Sequence, residues 1–129
     1  MWRILKYEYP VALWAVFILV LCLMPMQGDS EHLPLFEGFD KLVHTGLFFV
    51  FAILLIRGRI QQQKGDEYHF ATFVKIILLA AILGGGIELL QWKVFTYRSG
   101  EWWDFFSDMV GVGMSIFSYI TLCKVNKLR

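Results

Sequence analysis

The sequence predicts an all-α integral membrane protein, a four-helix bundle with both termini cytoplasmic, and three observations carry that prediction. The first is composition. The chain of 129 residues is 57% hydrophobic, 17% aromatic and 18% charged, whereas an ordinary soluble domain is roughly 25% charged and 45–50% apolar. A soluble chain of this size has too much surface for its volume to hide such a load of apolar side chains. The second is the presence of four runs long enough to cross a bilayer as helices, which takes ~20 mostly apolar residues. The third is that the polar connections are too short to hold a further domain, so residues 1–129 form a single transmembrane domain. Composition therefore excludes a soluble globular enzyme and a disordered chain. The formal charge of +1 gives no global field for a polyanion, which excludes a nucleic-acid partner.

The first span runs from about Tyr7 to Met24 and ends at Pro25. Arg3 and Lys6 ahead of it resemble the start of a secretory signal. However, Met24-Pro25-Met26-Gln27 stands where an A-x-A cleavage site belongs, and Leu21 sits where a lipoprotein signal needs a small residue. The segment reads as an uncleaved anchor helix. The second span begins at Asp40, is apolar from Leu47 to Ile56, and stops at Arg57-Gly58-Arg59. The third covers about Phe70 to Phe95, interrupted by Glu88 and Gln91. The fourth covers about Trp102 to Cys123 and gives way to the polar tail Lys124 to Arg129. Cys22 and Cys123 fall in opposite leaflets on this topology, beyond the ~7 Å Cα separation a disulfide allows, and behave as small hydrophobes.

Orientation follows from the cations of the short loops. Arg3, Lys6, Arg57, Arg59, Lys64, Lys124, Lys127 and Arg129 put eight on one side, against Lys41, Lys93 and Arg98 on the other. Lys75 can snorkel toward the side with eight. That side is cytoplasmic by the positive-inside rule. Tyr7, Tyr9, Tyr68 and Tyr119 with Trp2 mark one interface, and Trp92, Tyr97, Trp102 and Trp103 the other.

The polar residues near and within the spans gather at one end. The start of the second helix, the end of the third and the start of the fourth face the same compartment by parity of crossing, whichever way the chain is inserted. There the chain carries Asp40, Lys41 and His44, then Glu88 and Gln91, then Arg98, Glu101, Asp104 and Asp108. Helical spacing places Asp40 and His44 on one face. It likewise aligns Gly84, Glu88 and Gln91 on the third helix, and Asp104, Asp108, Gly111 and Ser115 on the fourth. Small residues beside acidic ones suit close helix contact, with the polar groups turned to a partner rather than to lipid. The run Gly84-Gly85-Gly86 offers a bend just before Glu88. Asp108 lies roughly 9 Å along the axis from Trp102 at 1.5 Å per residue. A charge at mid-membrane costs about 2.5–3.5 kcal/mol on insertion scales, and less near the surface.

Structural explanations stand beside the functional ones. Asp40 and Glu101 suit the positive end of a helix macrodipole, and Ser99 suits an N-cap. Lys41 and Lys93 suit interfacial anchoring, and a lone His44 is ordinarily a packing histidine. An Arg98–carboxylate lock can equally be architecture.

Three elements at this end resemble the VanZ-like family, small membrane proteins named for a teicoplanin-resistance protein. They are Asp40-Lys41-Leu42-Val43-His44 opening one helix, Glu88-Leu89-Leu90-Gln91 closing the next, and Arg98-Ser99-Gly100-Glu101-Trp102-Trp103-Asp104-Phe105-Phe106-Ser107-Asp108 followed by Gly111. The resemblance runs from about Phe39 to the end of the fourth helix. It implies a multi-pass protein of the bacterial cytoplasmic (inner) membrane, connected with the cell envelope and with lowered susceptibility to an acyl-bearing glycopeptide. It carries over Asp40, Lys41, His44, Glu88, Gln91, Arg98, Asp104 and Asp108. Nothing in the chain resembles a coenzyme A site.

Three functions fit these residues. The leading expectation is a site at the outer interface that binds or modifies an amphiphile, either a lipid-linked cell-wall intermediate or a lipoglycopeptide. Asp40, Lys41, Gln91 and Arg98 would contact the ligand, with its acyl chains among Phe48, Phe49, Phe105 and Phe106. The second is an intramembrane enzyme with His44, Glu88, Asp104 and Asp108 as its acid–base groups, because burial favours neutral carboxyls. The same donors suit a hard or borderline divalent cation, and no other cofactor is expected. The third is a non-catalytic structural or partner module in which the polar cluster fixes helix register.

Overall fold

A computed structural model describes residues 2–23, 39–62, 70–93 and 102–128. They form four α-helices in chain order: α1 (Trp2–Leu23), α2 (Phe39–Gln62), α3 (Phe70–Lys93) and α4 (Trp102–Leu128). No strand occurs among the described residues. All four helices are long and apolar enough to cross a membrane.

The helices overrun the apolar runs at several ends, because hydropathy marks where lipid stops and not where a helix stops. α2 continues through Arg57 and Arg59 to Gln62, and α4 continues through Lys124 to Leu128. Arg, Lys, Gln and Leu all favour the helix, so the backbone carries on beyond the apolar stretch. α1 starts at Trp2 and accommodates Pro10 within it, which membrane helices tolerate when neighbouring groups satisfy the freed carbonyl.

α2 is the central helix. It packs most extensively on α4, then on α1, while α1 touches α3 only lightly. Within the bundle 44% of the α2 span is buried but only 11% of the α1 span, so α1 lies at the margin. Phe48, Ile18, Ile76, Ile87 and Val112 are fully enclosed and form the core shared by all four helices. Large apolar side chains such as Leu13, Ile82 and Phe117 point outward, as they must where the surrounding solvent is hydrocarbon.

Two glycines set how closely α4 and α3 approach the neighbours that matter for the site. A Cβ on Gly111 would run into the carbonyl oxygen of Thr45 and stand 3.0 Å from the backbone nitrogen of Phe49. α2 and α4 are therefore in backbone contact there. A Cβ on Gly84 would lie 2.9 Å from Oδ2 of Asp108, so α3 lends its bare backbone to the space that this carboxylate fills. Such small-residue contacts substitute for the hydrophobic drive that is missing between helices in lipid.

Candidate functional site

His44 is the hub. Its side chain, on the second turn of α2, is buried between two aspartates of α4 that are also buried. Nδ1 lies 2.9 Å from Oδ1 of Asp108, a hydrogen-bond distance. Nε2 lies 3.8 Å from Oδ2 of Asp104, within ion-pair reach though beyond a hydrogen bond. The other Asp104 oxygen accepts from the Lys41 ammonium at 3.1 Å. The polar sequence thus reads Lys41–Asp104–His44–Asp108, ordered from the half-exposed lysine inward to an aspartate that is 1% exposed.

The local sequence explains why these groups meet. Lys41 and His44 share a face of α2 at a spacing of three, and Asp104 and Asp108 share a face of α4 at a spacing of four. Gly111, one turn beyond Asp108 on the same stripe, removes the side chain that would hold the two helices apart. Thr45 completes the junction: its hydroxyl contacts the Lys41 carbonyl at 2.9 Å and the Ser107 carbonyl of α4 at 3.2 Å. Sequence reasoning passed over Thr45 and Ser107. The available signal was their place on the two facing stripes, one turn from Lys41 and Gly111 respectively.

Glu88 is buried on α3, one turn from Gly84. It forms part of the wall of a neighbouring groove of about 300 Å³ between α3 and α4, together with Ala81, Gly85, Trp92, Trp102 and Phe105. Gln91 turns elsewhere. Its amide donates to the Cys22 carbonyl of α1 at 2.7 Å, so it ties α3 to the marginal helix rather than joining the histidine. Asp40 lies in the first turn of α2 but its side chain is outside the described set, and Arg98 and Glu101 lie outside the described residues.

The aromatic seat expected for an acyl chain changes as well. Phe48 is fully buried in the core and, with Phe51 edge-on to it at 6.1 Å, fills space between helices instead of lining a surface. Phe105 does line the α3–α4 groove, while Phe106 is exposed and stacks edge-on against Trp103. Exposed Trp92, Trp102 and Trp103 mark the cluster's end of the bundle, in keeping with an interfacial belt. Cys22 and Cys123 are free thiols.

The chemistry available here is that of an oriented imidazole. A carboxylate on Nδ1 fixes the ring's rotation and leaves Nε2 as the nitrogen turned toward the open side, the arrangement used by acid–base sites and by metal-ligating histidines alike. Among the described residues no group of three or more His, Cys, Asp or Glu side chains is arranged to hold a metal ion. Comparison of the chain with protein-family models, with characterised proteins and with solved structures finds no match.

Proposed function

We propose that the protein is a VanZ-like component of the bacterial cytoplasmic membrane that binds the polar head of an amphiphile at the outer interface, both termini lying in the cytoplasm. The observation that carries the reading is the buried His44 between Asp104 and Asp108, with Lys41 on its open side. Buried ionisable groups in membrane helices are costly and mark function by default, and this set lies beside a groove with tryptophans in its wall. The head of the ligand meets the Lys41–Asp104 edge, and its apolar chain lies along the α3–α4 groove past Glu88. A lipid-linked cell-wall intermediate or an acylated glycopeptide has that shape. The excess of Lys and Arg at the opposite ends of the helices supports the orientation.

The Asp108 contact with Nδ1 favours a second reading, acid–base modification of the same ligand. In that case His44→Gln abolishes turnover while leaving ligand retention near wild type, whereas in a binding protein retention falls with tolerance.

The test is alanine substitution at His44, Glu88, Arg98 and Asp108 in a bacterial host, scored for protein abundance and for teicoplanin susceptibility. A glycopeptide without an acyl chain serves as control. Loss of tolerance at unchanged abundance, confined to the acylated drug, is the expected result. Variants that insert normally and keep full tolerance would refute the reading.

A further inference from the structure

The interface of α2 and α4 that buries His44 at one end opens into a groove at the other. Arg57 lies 13 residues after His44 on α2, roughly 20 Å along the helix. The groove there has a volume of about 350 Å³, apolar walls from the isoleucines of α2 and from Leu122, and a polar side made by Arg57, Ser115, Ser118 and Tyr119. No acidic side chain is among its lining residues.

Ser115 breaks a pattern that the other serine and threonine hydroxyls of these two helices keep. Thr45, Ser107, Ser118 and Thr121 each contact the carbonyl oxygen four residues back, at 2.8–2.9 Å, the ordinary way for a hydroxyl to satisfy itself within a helix. Ser115 does not. It is 0% exposed, and its Oγ has no hydrogen-bond partner among the described residues. A buried donor left unmade is expensive, and this one belongs to the wall of an apolar groove with a guanidinium at its far side.

We propose that this groove is a binding site for one acidic glycerophospholipid. Arg57 is exposed and takes the phosphate in a charge-assisted, bidentate contact. Ser115 stands four residues, about 6 Å, further into the membrane than Tyr119. That is the direction in which the ester carbonyls of a glycerophospholipid lie from its phosphate, and the Ser115 hydroxyl donates to one of them. An acyl chain then follows the isoleucines. Basic pockets between membrane helices recognise anionic lipid heads in this way. A free anion would satisfy Arg57 but would leave the hydroxyl and the apolar wall unused.

The experiment is native mass spectrometry of the full chain after exchange into nanodiscs of equal phosphatidylglycerol and phosphatidylcholine. Wild type should retain phosphatidylglycerol preferentially. Arg57→Gln should lower that preference about five- to tenfold, the effect of one cation at a lipid head. Ser115→Val should lower lipid retention severalfold, with Ser115→Ala as the substitute if the valine variant melts early. Arg57 also lines a cleft between α1 and α2 together with Lys6, so Lys6→Gln is the control and should leave retention unchanged. Equal retention of the two lipids by wild type overturns the proposal. So does a Ser115 variant that behaves as wild type, or a Lys6→Gln variant that alone loses the lipid. Displacement of the bound lipid by millimolar inorganic phosphate would mark a free-anion site and overturn it too.

Discussion

Substituting alanine for Gly111 adds one methyl group at the point where α4 meets the α2 backbone. The new Cβ would collide with the Thr45 carbonyl oxygen and crowd the Phe49 nitrogen at 3.0 Å and the Thr45 carbonyl carbon at 3.1 Å. These are backbone atoms, so no rotamer change relieves them. α2 and α4 have to part by about 1 Å before carbon–oxygen distances return to ordinary contact. Overpacking of this kind costs roughly 1–3 kcal/mol. The same displacement carries His44 away from Asp108, stretching a 2.9 Å contact toward the limit of a hydrogen bond and putting at risk the ~1.5–3 kcal/mol of a charged one. At roughly 2–8 °C per kcal/mol, purified Gly111→Ala should melt well below wild type in the same detergent.

Gly113 supplies the control, two residues along the same helix. A Cβ there has nothing within 4 Å, so Gly113→Ala should lose nothing and gain up to ~1 kcal/mol of helix propensity. If Gly111→Ala melts with Gly113→Ala and keeps wild-type teicoplanin tolerance, the two helices are not held in backbone contact, and the geometry assigned to the histidine is wrong.

Substitutions at three further positions separate architecture from chemistry. Asp108→Asn keeps an oxygen for Nδ1 and should insert at near-normal abundance with tolerance lost, whereas Asp108→Ala should also cost about 1–3 kcal/mol by stripping a buried polar contact, read as a lower melting temperature. Lys41→Gln takes a 36% exposed lysine from an Asp104 that is only 7% exposed, so it should cost about 1–3 kcal/mol by stripping a buried carboxylate of a partner; a loss of tolerance larger than the loss of abundance would then show that the ammonium acts on the ligand or through Asp104. Gln91→Met removes the α3–α1 tie to Cys22 and should lower the melting temperature by the equivalent of about 1 kcal/mol with tolerance unchanged, and a selective loss of tolerance would return Gln91 to the site.

Sequence and packing act at different scales. Hydropathy located four spans because transfer to hydrocarbon depends on composition over some twenty residues, a quantity written directly in the chain. Helical phase put Asp104 and Asp108 on one face because 3.6 residues per turn is a property of the backbone itself. What phase cannot say is which neighbour a face meets. Gln91 shares a stripe with Glu88, yet its amide reaches α1 while Glu88 flanks the groove toward α4, since three residues of helix turn a side chain through about 300°, roughly 60° short of alignment. The partners of His44 were likewise beyond phase alone: the rise of α4 relative to α2 decides whether Nδ1 meets Asp104 or Asp108, and that rise is fixed by the contact of Gly111 with Thr45. Phe48 shows the converse limit, an aromatic side chain whose type fits a lipid-facing surface and a core equally well, and whose burial only the packed bundle decides.

The placement of polar atoms along α4 also constrains what kind of device this is. Asp104, Asp108 and Ser115 form one buried stripe against α2, which invites the idea of a polar path through the membrane. Between Asp108 and Ser115, however, the stripe is occupied by the Gly111 junction, where backbone touches backbone, and it is flanked by Val112 and Phe48, both wholly enclosed. A hydrated route needs polar partners and room for water, and this stretch supplies neither. The two polar regions of the α2–α4 interface are therefore separate. The histidine cluster belongs to one end of the bundle and the Arg57–Ser115 groove to the other, held in fixed relation by the backbone contact at Gly111. A ligand engaged at one end can influence the other only by moving α2 against α4, and Gly111 is the position where such movement would be felt first.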